Sequence, residues 1–548
     1  MRIAAALLAL AALLPSAIGQ GLPPPPAPPG NPITPAKANL GKALFWDEQM
    51  SSTRTIACGS CHVMPAGGSD PRASLASAAS VHPGPDALLG GPDDVVGSPG
   101  VPRTLADGSY LKDALFRLAP QVTPRRSMSV INSAYPPLLF WDGRAGATFV
   151  DPLSGAVVLA NGAALETQAL APPTSAVEMG HEDRDWNEVA ARIASVQPLR
   201  LAPSVPPALA AWIGGRSYPE LFQEAFGASA VTPARIALAL ATYQRTLFSN
   251  QAPLDQALAG NPNALTPLES QGRQLFNSPL TSCGTCHGGP RLTVDGFFYT
   301  GVRPQDDDLG RFLVTADPAD RGRMRVPTLR NVELRAPYFH NGRFATLEDV
   351  VEFYDRGGDF DAPNKPVALI RPLGLTPQQK AALVAFMKRP LTDPRVAAGV
   401  APFDHPTLYA VSAHAPLAFG VGTPGTGGFA PEMIALEPPA VGIGAIRFAL
   451  DRGLAGRQAI LALDPSGIPA GVPFQGTTLY LGLGAGLSLH RIAALGGSGA
   501  GEGFGSKAIA MPDDPALIGS TLFAQWFVLD PQPGQRFSAS GAVRFTFY

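Results

Sequence analysis

The chain is sparing with cysteine: 548 residues hold four, Cys58, Cys61, Cys283 and Cys286, all in two Cys-x-x-Cys pairs. That leaves none for a structural disulfide. It also lacks an excess of charge of either sign. Forty-one Lys and Arg stand against 43 Asp and Glu, a formal net charge of −2, which excludes the basic footprint of a nucleic-acid or anionic-membrane binder. After the N-terminal stretch no run of 18 apolar residues occurs, so no transmembrane segment is expected in the mature chain. What is abundant is Gly (59) and Pro (58), which predicts many loops and a β-rich portion.

At about 150 residues per domain, the length suggests three or four domains with ample core. Arg2, the apolar stretch Ile3 to Leu14 and the small residues before Gly19 read as a secretory signal, residues 1–19, so the protein is expected to be periplasmic or otherwise exported. Residues 20–33 are Pro-rich and read as an extended linker. Thr34-Pro35 then reads as an N-cap with Pro at the first helical position. The same device recurs at Thr232-Pro233, before a face of Ile236, Leu240, Tyr243 and Leu247, and at Thr376-Pro377, where Gln379 completes a capping box. Gly41-Lys42-Ala43-Leu44-Phe45 precedes the first cysteine pair as Gly272-Arg273-Gln274-Leu275-Phe276 precedes the second, implying two related helical units. Beyond about residue 400 short apolar runs between turns, Thr478–Leu481, Thr521–Leu529 and Ala542–Tyr548, read as strands of a sandwich-like domain.

Both cysteine pairs continue into histidine: Cys58-Gly59-Ser60-Cys61-His62 and Cys283-Gly284-Thr285-Cys286-His287. Two thiols three positions apart can each add to one vinyl group of a single haem, and the next residue can then reach the iron. A zinc ribbon needs its pairs about 15–20 residues apart, and these are separated by more than 200. A thioredoxin-like pair needs a βαβ setting, absent around either. The motifs therefore imply two covalently bound c-type haems, with His62 and His287 as axial ligands. The predicted fold is mainly α, two cytochrome c-like haem domains (34–230 and 231–400), followed by a C-terminal β-sandwich-like domain (401–548).

Leu40 to Phe45, Leu139-Phe140-Trp141-Asp142-Gly143-Arg144, Val326-Pro327-Thr328-Leu329-Arg330-Asn331 and Ala336-Pro337-Tyr338-Phe339-His340-Asn341-Gly342-Arg343 resemble the bacterial di-haem cytochrome c peroxidases, including their MauG-like branch. The resemblance spans about residues 34–398. It implies that the N-terminal haem meets hydrogen peroxide, that the C-terminal haem relays electrons, and that Trp141 lies between them. It also implies a peroxide pocket of Gln168, Pro172 and Glu178, where a carboxylate can move a proton between peroxide oxygens. The second ligand of the C-terminal haem falls fourteen residues after His340, at Tyr354. Classical peroxidases carry Met there and the MauG-like branch Tyr. Tyr354 is accordingly either a core aromatic of the helix capped by Thr346 and Asp349, or an axial phenolate, a hard donor favouring the higher oxidation states of iron.

The resemblance further implies an inter-haem calcium. Arg126 and Arg335 stand at two of its expected positions, and a cation beside Ca²⁺ is unfavourable. His82 is either a distal ligand or a loop residue. Arg144 and Arg330 either contact haem propionates or are ordinary surface arginines. The implied partners are hydrogen peroxide and a redox protein, a small cytochrome or an oxidised protein substrate. The alternative function is a di-haem electron-transfer cytochrome without peroxidase activity.

Overall fold

The computed structural model describes residues 22–548; the signal-like stretch 1–19 lies outside them. Two helical units of the same design come first. In the first, α1 (Pro35–Trp46) crosses α2 (Pro233–Thr246). In the second, α3 (Pro267–Phe276) crosses α5 (Pro377–Met387), with α4 (Leu347–Asp355) alongside. The Thr caps form as their sequence dictates: Thr34, Thr232 and Thr376 each accept a hydrogen bond from the backbone N–H three residues on, which satisfies one of the orphan donors of the first turn.

The repeated glycine explains the close crossing. A Cβ on Gly41 would stand 2.0 Å from the Ala239 carbonyl oxygen, and one on Gly272 would stand 1.9 Å from that of Ala382. Both obstacles are backbone and cannot rotate away. Gly41→Ala is therefore expected to destabilise the first unit by about 1–3 kcal/mol or more, the cost of overpacking a rigid contact; a thermal unfolding midpoint equal to that of the parent protein would refute this reading.

The core of the first unit gathers Leu40, Leu44, Phe45, Ile56, Met64, Ile236, Leu240 and Tyr243, and also takes in Val396, Phe403 and Leu408 from beyond the second unit. Helix α2 thus packs with the first core, although the sequence boundary at 230/231 assigned it to the second. Ile236, Leu240, Tyr243 and Leu247 are buried as expected, but Ala237, Leu238, Ala241, Thr242 and Arg245 are buried as well, so the helix is enclosed on nearly all sides rather than on one face; its partner, α1, lies some 190 residues earlier and is not legible locally. The Pro-rich segment also differs from the expected free linker. Leu22 is buried, the Asn250 side chain donates to the Leu22 carbonyl (3.3 Å), and Asn31 donates to Glu166 and to the Leu238 carbonyl (2.8 and 2.9 Å). Residues 22–33 are extended, as proline dictates, but docked.

The C-terminal region is β-rich. Strands β1 (Leu417–Phe419), β2 (Glu432–Ile434), β3 (Ala445–Gly453), β4 (Ala459–Asp464), β5 (Gly467–Phe474), β6 (Thr477–Leu481), β7 (Ser488–Ile492), β8 (Gly503–Ala510), β9 (Thr521–Gln532) and β10 (Gln535–Thr546) pair antiparallel. They form a five-stranded sheet in the order β7-β4-β9-β10-β1, a three-stranded sheet β2-β3-β8, and the hairpin β5-β6. Phe448 and Leu450 of the smaller sheet share one buried cluster with Leu461, Trp526, Val528 and Phe545 of the larger.

This region grips the long loop of the first unit. Arg117 donates to both carboxylate oxygens of Asp451 (2.7 and 2.8 Å) and to Glu502 (3.1 Å). Tyr110 and Leu118 are buried against Ala449, and the Tyr110 N–H donates to Ser506 (3.2 Å). A bidentate guanidinium–carboxylate pair carries geometric constraint as well as charge. Arg117→Ala is expected to leave the core folded and to speed hydrogen exchange of amides in 103–121 by about tenfold or more, since losing a partly buried pair costs on the order of 1–3 kcal/mol; unchanged exchange there would show that the loop is held by packing alone.

Candidate haem sites

The first motif forms a helical turn, Cys58–Cys61, closed by the Ser60 hydroxyl accepting from the Ala57 N–H (2.9 Å). Phe45 of α1 packs against the His62 ring (centroids 6.3 Å). His62 Nδ1 lies 3.2 Å from the Gly68 carbonyl oxygen. A carbonyl can only accept, so Nδ1 carries the proton and Nε2 keeps its lone pair free. Burial also holds the imidazole pKa below its ordinary value, keeping the ring neutral.

A cavity of about 730 Å³ opens beside Cys61 and His62, and Gln168, Pro172 and Glu178 line it. A smaller adjoining cavity of about 50 Å³ brings Cys58 and Gln244 together with the same three residues. Local chain geometry sets the trio. Gln168 ends the helix Ala164–Ala169, Pro172 opens a 3-10 turn, and Glu178 follows in a bend where its N–H donates to the Ser175 carbonyl (3.2 Å). Burial pushes the Glu178 carboxyl above the usual carboxylate range, against a smaller opposing pull from the Arg144 guanidinium. His82 lines the same cavity, from a two-residue strand of the long loop.

The second motif repeats the arrangement with a different outcome. Phe276 of α3 packs against His287 (6.5 Å), and His287 Nδ1 lies 3.2 Å from the Leu292 carbonyl oxygen, again leaving Nε2 free. Burial pushes the His287 pKa down to about 4. The adjacent cavity, about 220 Å³, is lined by Cys283, Cys286 and His287 together with Tyr354 and the apolar Val351, Leu373 and Leu383. Tyr354 sits on α4, between Phe353 (5.0 Å, edge-on) and Phe339 (6.0 Å). Burial and the neighbouring thiols raise its pKa. The His62 cavity is roomy and holds the Glu178 carboxylate, whereas the His287 cavity is smaller and largely apolar, with the phenols of Tyr338 and Tyr354 in its lining.

Trp141, Arg126 and Arg325 line both large cavities and form the partition between them. The partition is built twice by the same sequence device. Phe140 and Phe339 both adopt left-handed backbone (φ 67° and 68°), an uncommon state for a bulky residue that concentrates at functional turns. Each turn is closed by a bridge, Leu139 with Ala145 and Tyr338 with Phe344, and each presents its next residue inward. Trp141 and His340 therefore occupy corresponding places and meet edge-to-face at 6.0 Å. Trp141 Nε1 donates to the Arg126 carbonyl (2.7 Å).

His340 and Arg325 were missed as site residues by sequence reasoning. The signal was available: Arg126, Asn132 and Trp141 have the same spacing as Arg325, Asn331 and His340. Arg330 lines neither large cavity; it is fully buried and ion-paired with Asp255 (2.7 Å), so neither sequence reading of it, propionate contact or surface residue, holds. Arg144 lines the His62 cavity, stacked over Phe140 (3.6 Å) and paired with Asp142 (2.9 Å). The remaining four histidines have structural partners: His181 with Glu188 (2.6 Å), His405 stacked on Trp46 (4.2 Å), His414 against Tyr548 (4.3 Å) and His490 with the Ser488 hydroxyl (3.3 Å).

The residues fit covalent haem at both sites. All four thiols are unpaired, each pair flanks a cavity, and each neighbouring imidazole is fixed in the tautomer that leaves a nitrogen for iron. No cluster of three or more His, Cys, Asp or Glu suited to a further metal occurs among the described residues.

Comparison with known proteins agrees with the geometry. The family model described as di-haem cytochrome c peroxidase matches residues 35–263. A cytochrome-c peroxidase of Denitromonas iodatirespirans, IdrP1, is 31% identical over 409 residues, covering 68% of this chain and 87% of the relative. The chain belongs to the di-haem cytochrome c peroxidase family. The methylamine utilization protein MauG of Methylorubrum extorquens is 28% identical, covering 67% of this chain and 82% of that protein. A solved structure of a MauG-like protein associated with microbial copper homeostasis matches with TM-score 0.49 and 27% identity over 71% of this chain and 97% of that one. The chain is thus an oxidoreductase of the di-haem peroxidase type. Among the described residues no helix is long and apolar enough to cross a membrane.

Proposed function

We propose that this chain is an exported, periplasmic peroxidase carrying two covalent c-type haems, attached at Cys58/Cys61 and Cys283/Cys286 and ligated by His62 and His287, and that it reduces hydrogen peroxide at the His62 site. The observation that carries the reading is the half-buried carboxylate of Glu178, its pKa raised by desolvation, in a roomy cavity shared with His62 and Trp141. A plain electron-transfer cytochrome needs no such carboxylate beside a haem.

The haem at His62 supplies, when bound, an iron able to bind peroxide and accept its oxidising equivalents. The rest belongs to the chain. Overall, hydrogen peroxide takes up two electrons and two protons and becomes two waters. Glu178, in its ionised form, takes a proton from the oxygen of peroxide nearer the His62 site and returns it to the farther oxygen, which leaves as water when the O–O bond breaks. Gln168 orients the peroxide by hydrogen bonding. Trp141, in the partition, would be the conduit for electrons arriving from the His287 site, where His287 and Tyr354 would hold the haem. The electrons come from a redox protein, either a small cytochrome or a protein side chain that becomes oxidised.

We further propose that the chain divides after Leu247 rather than at 231, and that the two C-terminal sheets form a sandwich bracing the loop 103–121, which connects Ser98 and Thr123 of the His62 cavity lining. The test of the function is peroxide turnover by the purified holoprotein with a reduced cytochrome as donor. Turnover above that of free haem is expected. Two haems per chain, both unreactive towards peroxide, would establish the electron-transfer alternative.

A further inference from the structure

Three arginines stand at the partition between the cavities. Arg126 and Arg325 line both, and Arg335 lines the second. They are 6%, 6% and 8% exposed. Their side chains bond to groups that carry no charge: Arg126 donates to the carbonyls of Arg335 (2.6 Å) and Ala336 (2.8 Å), Arg325 donates to the Met128 sulfur (3.4 Å), and Arg335 donates to the Thr328 carbonyl. The Nε of each is buried without a partner among the described residues.

Nearby carboxylates are committed elsewhere. Asp70 holds Arg72, Asp295 holds Arg291, and Asp142 and Asp308 hold Arg125. Burial pushes all three guanidinium pKa values down to about 10, with the Arg335 charge adding to the effect on Arg126. They remain cationic at neutral pH, and buried cations require compensating anions.

The arrangement is fixed from both units. The Arg126 N–H donates to the His340 carbonyl and the Arg325 N–H to the Trp141 carbonyl, both at 2.8 Å. Arg126 precedes Asn132 by the same six residues that separate Arg325 from Asn331. Each arginine is thus stitched to the inward residue of the other repeat, and its position relative to both haem sites is set by backbone.

We propose that Arg126, Arg325 and Arg335 are the carboxylate-binding site for the propionates of both haems, and that Arg126, seated on the carbonyls of residues 335 and 336, supplies the fixed positive charge that the resemblance would assign to calcium. This rests on the di-haem reading. A guanidinium suits the task because its planar fork of N–H donors matches carboxylates and carbonyls and cannot be removed by chelation.

The test uses purified holoprotein. A pyridine haemochrome count below two haems per chain overturns the di-haem reading and the proposal with it. With two haems present, metal analysis is expected to find no stoichiometric calcium, and dialysis against EGTA or addition of calcium to leave both midpoint potentials and the thermal midpoint unchanged. Arg126→Gln is expected to lower the midpoint potentials of both haems, because removing a nearby cation favours the ferric over the ferrous state, and Arg126→Lys to restore part of the shift. Arg325→Gln, whose side chain leaves no carbonyl unpaired when removed, reads the same effect should Arg126→Gln load haem poorly. Stoichiometric calcium, a potential that moves with EGTA, or parent potentials in both glutamine variants would overturn the proposal alone.

Discussion

Glu178→Gln is expected to lower peroxide turnover by about 10²–10⁴-fold, the usual contribution of a positioned proton-transfer group, while leaving both haem sites loaded. Glutamine keeps the volume of the side chain. It also removes a carboxylate whose charge is expensive to bury, so the fold is not put at risk. What disappears is the ability to accept and return a proton. Burial raises the Glu178 pKa, and the ionised form is the one that accepts the proton. Activity of the parent protein should therefore fall as the pH drops through that raised value, above the range of an ordinary carboxylate. The variant should lose this acid limb along with its rate. Steady-state turnover against pH, normalised to haem content, checks both. A variant with parent turnover would remove Glu178 from the chemistry and leave it as a half-buried acid of the cavity wall.

Much of this is legible in the sequence, for a physical reason. Covalent haem attachment is local in sequence: two thiols and an imidazole within five residues specify the site, so Cys58 to His62 and Cys283 to His287 announce themselves. Helix starts are local too, which is why Thr34, Thr232, Thr346 and Thr376 mark real caps. Partnerships are not local. Helix α2 joins α1 across 190 residues because Gly41 permits the approach, and a glycine in a helix does not say which carbonyl it admits. The docking of residues 22–33 rests on Asn31 finding Glu166 and Leu238, contacts no composition rule supplies. Arg325 and His340 escaped notice because each looks ordinary alone. Their meaning comes from matching the spacing of Arg126 and Trp141, a repeat that becomes evident once Phe140 and Phe339 prove to share one backbone conformation.

Tyr354→Phe is expected to change the absorption spectrum of the His287 haem and to raise its midpoint potential by on the order of 0.1 V, a fraction of the roughly 0.8 V that axial ligands span. The ring keeps its packing against Phe339 and Phe353, so the fold and haem content should survive. The direction follows from charge. Burial and the two thiols favour the neutral phenol in the protein alone. A phenolate in that apolar cavity needs a cation, and ferric iron is the one the site would bring. The anion in turn stabilises the ferric state, so its loss must raise the potential. If Tyr354 is core packing only, the variant will match the parent in spectrum and potential, since phenylalanine fills the same space. Tyr354→Met separates the outcomes further: a thioether favours ferrous iron, so a ligating position should show a larger rise than Phe gives, and a packing position should show none. The comparison bears on function, because a phenolate at His287 would let the relay haem share the oxidising equivalents generated at His62, whereas a site without one would pass electrons singly through Trp141.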